Sequence, residues 1–156
     1  MLVTNHVLSG AAIGAAVRRP LPALAVGVAS HFALDALPHW GKWESKQHFL
    51  RVAVADGLTG LAAMGVVTRA VLRTPAAGRG TLAASVVLGM AGAALPDLDK
   101  PAHIIFKRKL WPEAVNRFHG RIQDEAPNRF VSHELVAATG FALSAAALIK
   151  WRTARA

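Results

Sequence analysis

His31 and Asp35 stand four positions apart, and His39 follows four later, just beyond Pro38. On an α-helix that spacing puts an imidazole and a carboxylate on one face. Pro38 ends or bends the helix ahead of the second imidazole. Nitrogen and oxygen ligands converging from one helix end suit a divalent cation. Because the chain has no cysteine, the set favours Zn²⁺, with Mn²⁺ or Fe²⁺ next. His6, Asp56 and Asp97 are further candidate metal ligands. This surplus permits one or two ions, or carboxylates that orient imidazoles from behind. His119 and Glu134 are the candidate catalytic groups, either as general base or as a further ligand. Each residue also has an ordinary reading. A helical histidine is often a satisfied polar residue, Asp56 beside Gly57 could cap a helix, and Leu95–Asp99 could be a turn with a capping aspartate. His48 and His103 are left at that ordinary reading.

The elements that must position these groups are helices. Hydrophobic residues make up 53% and charged residues 17%, with mean hydropathy +0.35, where a soluble domain carries about a quarter charged. Apolar stretches at about 3–17, 21–37, 52–72, 80–95 and 130–149 lack the alternation of strands and exceed strand length. Proline, glycine and arginine separate them. The third and fifth reach the ~20 residues a spanning helix needs, the second is borderline, and the first and fourth fall short. Gly10, Gly14, Gly89 and Gly92 would let helices pack closely in lipid. The expected fold is all-α: one domain over 1–156, an up-down membrane-embedded bundle of about five helices. A polar amphipathic connection occupies about 100–129. A soluble alanine-rich bundle is the competing architecture.

If successive helices alternate in direction, all seven histidines and all nine Asp and Glu residues fall at one end of the bundle. The loops of the other end carry only basic charge. Nothing in the alternation was chosen to produce that sorting. The formal net charge is +9, but the basic residues lie in short groups between apolar stretches: Arg18 and Arg19, Arg69 to Arg79, Lys107 to Lys109, and Lys150 to Arg155. Such groups suit anionic headgroups. No nucleic-acid-binding motif accompanies them, which argues against a nucleic-acid partner. The N-terminus lacks a basic n-region and reads as the start of the first helix rather than a signal peptide. Trp40, Trp43 and Trp111 map to the polar end and Trp151 to the other, as interfacial anchors do.

Several runs carry a resemblance: Thr4-Asn5-His6, SHFALDALPHWG at 30–41, ALPDLD at 94–99, FHGRIQDE at 118–125, and Glu134. In this order they resemble a group of small uncharacterised bacterial membrane proteins. More loosely, the His31/Asp35 and Pro96/Asp97/Asp99 elements are similar to the predicted membrane-bound metal-dependent hydrolases of the LexA-regulated inner-membrane type. Those are thought to be related to the zinc-dependent phospholipases C. In that family the two elements come in the opposite order and an Arg-Gly-x-Thr-His-Ser motif is present, which this chain lacks. The resemblance implies metal ligation by His31 and Asp35, and by Asp97 and Asp99.

The expected function is therefore a membrane-embedded metal-dependent hydrolase of the bacterial cytoplasmic membrane. It would act on a phosphoester or phospholipid, with Lys107, Arg108, Lys109 and Arg121 suited to the phosphate. A metal or proton transporter and a non-catalytic helical membrane subunit are the alternatives. Membrane lipid and a phosphate-bearing substrate are the expected partners, and the sequence does not give the oligomeric state.

Overall fold

Helix α1 (Val3–Val17) stops where Arg18 turns left-handed and its N–H bonds back to the Gly14 carbonyl. Helix α2 (Pro20–Asp35) starts on proline, whose missing N–H costs nothing in a first turn, and ends just ahead of Pro38. After a three-residue strand β1 (Pro38–Trp40), α3 (Lys46–Arg73) is capped by the Ser45 hydroxyl, which accepts from the His48 N–H. Helix α4 (Arg79–Ala94) tightens into a 3-10 turn at Leu95–Leu98 and resumes as α5 (Asp99–Phe106). The polar connection holds α6 (Glu113–Ile122) and β2 (Asp124–Ala126). A π-helical turn, Phe130–Leu135, then leads into α7 (Val136–Thr153). The computed structural model describes residues 1–154, so Arg155 of the last basic group lies outside it.

The protein is all-α, as the sequence leads one to expect, with 79% of residues helical. Taking α4 with α5, and the π turn with α7, as continuous rods gives six helices rather than five. The extra one is α6, whose apolar residues are too few to register as a span. A two-stranded parallel ladder, Pro38↔Asp124 to Trp40↔Ala126, was not expected. It joins segments more than eighty residues apart, beyond the reach of local pattern.

The helices do alternate in direction. Gly10 meets Gly89 and Gly14 meets Ser85, so α1 runs antiparallel to α4. Asn5 bonds to Glu134 at one end, and the Arg152 guanidinium donates to the Ala16 carbonyl at the other, so α1 and α7 are parallel. A Cβ at Gly10, Gly14 or Gly89 would strike backbone of the facing helix. Glycine thus sets the α1–α4 distance, and the Ser85 hydroxyl donates to the Gly14 carbonyl across it at 2.9 Å. Val7, Ala11, Ala15, Val86 and Met90 fill the seam.

Three rods are long and apolar enough to cross a membrane: Lys46–Arg73, Arg79–Phe106 and Phe130–Thr153. The 3-10 turn lengthens the fourth stretch beyond its expected limit, whereas α1 stays at 15 residues. Only 6% of the apolar window of Lys46–Arg73 and 11% of that of Phe130–Thr153 is buried, against 56% for Arg79–Phe106. The middle rod is the bundle's core, and the other two present Leu58, Leu61, Val66, Val136 and Leu143 outward. An apolar surface of that extent suits lipid.

Candidate metal centre

The ends of α2, α4 and α6 meet at the polar end. Asp35, the last residue of α2, is fully buried. Its Oδ2 lies 2.7 Å from His119 Nε2, 2.7 Å from Gln123 Nε2 and 3.3 Å from His31 Nε2. Its Oδ1 lies 3.0 Å from His6 Nε2 and 2.7 Å from the Met1 nitrogen. His31 Nδ1 donates to the Ala93 carbonyl at 2.7 Å. That bond puts a proton on Nδ1 and directs Nε2 into the centre. His119, carried on α6, brings a second Nε2 within 3.1 Å of it. The 3-10 turn delivers Asp97, whose Oδ1 is 3.8 Å from both imidazole nitrogens and 2.7 Å from Lys100 Nζ.

His31, Asp35, Asp97 and His119 thus offer four ligand atoms within 4.8 Å of one another, all on buried residues, and this group could hold a metal ion. With metal bonds of about 2.0–2.2 Å, the edges of a tetrahedral site are about 3.3–3.6 Å long. The His31–Asp35 separation of 3.3 Å and the two 3.8 Å separations to Asp97 are close to such edges. The 2.7 Å and 3.1 Å separations from His119 are shorter, as in a cluster drawn together without an ion. His31 Nε2 faces the Asp35 carboxylate and the His119 imidazole away from water.

The other expected site residues lie around this group. His6 stacks on His31, ring centroids 4.0 Å apart, and donates to Asp35 Oδ1, while His31 and His119 face Oδ2. Asp56 caps α1 from α3: its carboxylate accepts the Val3 and Thr4 N–H groups at 2.6 and 3.0 Å and the Thr4 hydroxyl at 2.6 Å. Glu134 is buried under α1 and β1. Its Oε2 accepts from Leu2 N and Asn5 Nδ2 at 3.2 and 2.6 Å, and its Oε1 from Trp40 N at 3.0 Å. Asp99 accepts the Leu110 and Trp111 N–H groups and ties α5 to the α6 connection. All of these carboxylates stand at the polar end, as the alternation requires, yet they hold backbone there instead of joining the four-ligand group.

His39 has two acceptors. Nδ1 donates to the Leu37 carbonyl at 2.8 Å and Nε2 faces Gln123 Oε1 at 2.9 Å. Gln123 cannot be flipped, because its amide NH₂ is committed to Asp35. Both His39 nitrogens therefore carry protons, which leaves no lone pair for a metal. Burial works against this imidazolium. The Glu125 carboxylate, 3.8 Å away and acting through charge, outweighs it and raises the His39 pKa above 6.5. The same pairing holds the Glu125 carboxyl below the usual range.

The chain matches no family model, no curated protein and no solved structure. The site is accordingly read from its own chemistry.

Beside the centre, a cleft of about 440 Å³ opens between α5 and α6. His119 and Gln123 form its inner wall, and Lys100, His103 and Lys109 line it. Of the basic residues expected to serve a phosphate, only Lys109 lines this cleft, paired at 2.7 Å with Glu113. Lys100, whose Nζ lies 2.7 Å from Asp97, was not singled out from the sequence. Its spacing from Asp97, i to i+3 on one helix, was the available signal.

Proposed function

We propose that the protein is a membrane-embedded metal-dependent hydrolase with one divalent ion, Zn²⁺ by preference, held by His31, Asp35, Asp97 and His119. The single observation that carries this reading is the convergence of four buried ligand atoms within 4.8 Å of one another. An ion held by these four in an expanded, five-coordinate shell would have a position for a water of pKa about 7, the nucleophile for attack on an ester. The protein's own residues do the rest. Gln123 and His6 hold Asp35 through its two oxygens, and Ala93 holds the His31 ring. His119 places a ligand atom on the cleft wall, so a substrate in the cleft meets the centre directly.

Lys100 and Lys109 favour an anionic substrate, and a phosphoester fits both charge and cleft. Phe49 and Ile104 on the cleft wall suit the apolar part of a phospholipid. The resemblance in the His31/Asp35 and Pro96/Asp97 elements supports this reading, which puts the protein in a bacterial inner membrane. A carrier role has less support. Away from the polar end, the buried polar side chains of α1 and α4 among the described residues are Ser9 and Ser85, which are no relay of ionisable groups.

The test is hydrolysis of phosphomonoesters, phosphodiesters and phospholipids in mixed micelles by the zinc-loaded and the chelator-treated protein. The reading predicts turnover in the loaded form alone, and its loss in His119→Gln. Equal rates with and without metal would remove it.

A further inference from the structure

At the end of the bundle away from the metal centre, a second groove of about 490 Å³ runs between α3 and α4. Met64, Leu72 and Val87 give it apolar walls, and Arg69 and Arg73 stand at its mouth. The two arginines are i and i+4 on α3 and so share one helix face. Neither has a carboxylate within ion-pair distance among the described residues. The sequence places all nine acidic residues at the other end. Gly65 lines the groove, and a Cβ built at that position meets nothing within 4 Å, so the space above it is open. Leu61, Val66 and Leu72 beside it point outward, so the groove lies on the apolar surface of the bundle.

We propose that this groove is a binding site for an anionic phospholipid, with the headgroup phosphate on Arg69 and Arg73 and an acyl chain lying over Gly65 against Met64 and Val87. Charge and shape choose the occupant together. Two guanidiniums one helical turn apart with no carboxylate partner among the described residues favour an anion, and the apolar wall of Met64, Leu72 and Val87 beside them favours a chain. A soluble anion would leave the trough empty, and a neutral lipid would leave the arginines unmatched. The site is independent of the metal centre and of any reaction there.

The test uses the full chain purified in a non-ionic detergent and titrated with short-chain phosphatidylglycerol or phosphatidylcholine. Bound lipid is read by native mass spectrometry and by the shift in melting temperature. The expected result is one retained phosphatidylglycerol, with phosphatidylcholine held more weakly. At about a five- to sixfold effect for each arginine near a headgroup, Arg69→Gln/Arg73→Gln weakens phosphatidylglycerol about thirtyfold. Gly65→Leu fills the trough without touching charge, and it lowers retention while raising helix propensity, so loss of folding does not confound it. Equal retention of both lipids would overturn the proposal. So would retention unchanged in either variant, or a dimer that Gly65→Leu splits with no lipid bound.

Discussion

Asp35 is where the most contacts meet, since both of its oxygens are shared between candidate ligands and groups that hold it. Carboxylates of the same type nearby have other tasks, and this difference is testable. In Glu134→Gln one of three donors, Leu2 N, Asn5 Nδ2 or Trp40 N, must face an amide NH₂. The expected cost is about 1–3 kcal/mol of stability with metal content intact, measured by thermal unfolding beside elemental analysis. A variant that unfolds normally but loses metal would return Glu134 to the ligand set. His39 gives a prediction in pH. Its folded-state pKa is raised above 6.5 by Glu125, so the protonated form stabilises the fold. That contribution is complete below the unfolded value near 6.5 and is lost as pH rises through the folded value. The melting temperature of the wild type should therefore fall across that window relative to His39→Gln, and parallel profiles would refute the imidazolium.

Helix ends and helix seams decide what those residues can do. The α1–α4 seam is set by glycine against backbone, so Gly89→Leu must force the helices apart. Overpacking costs of ~1–3 kcal/mol or more are expected. Gly140→Leu, where nothing lies within 4 Å of the added carbon, serves as the control. Equal melting temperatures for the two variants would contradict the seam. The five long rods, their alternation and the gathering of His, Asp and Glu at one end were legible in the sequence, because apolar period and breaker residues are local signals. So was the pairing of His31 with Asp35, by helical spacing. The division of labour among carboxylates was not. Asp56 reads as a cap or a ligand equally well until α3 brings it to the start of α1, and Glu134 depends on donors more than ninety residues away. The pairing of β1 with β2 and the placement of α6 over α2 are likewise long-range, and they bring His119 and Gln123 to Asp35.

The whole molecule has two ends of opposite character joined by apolar rods. One end gathers the buried ionisable groups and the cleft; the other is basic and carries the α3–α4 groove. Leu58, Leu61, Val66, Val136 and Leu143 form the outward surface between them. The protein should stay with the membrane through alkaline carbonate washing and require detergent for release. Recovery in the soluble fraction would point to the alanine-rich soluble bundle. The central claim, a metal held by His31, Asp35, Asp97 and His119, is most directly tested by elemental analysis of detergent-purified wild type beside His31→Ala and Asp35→Asn. The account predicts about one equivalent of zinc, or of manganese or iron, in the wild type and none in either variant. Metal-free wild type after reconstitution with zinc, or unchanged metal content in Asp35→Asn, would contradict it.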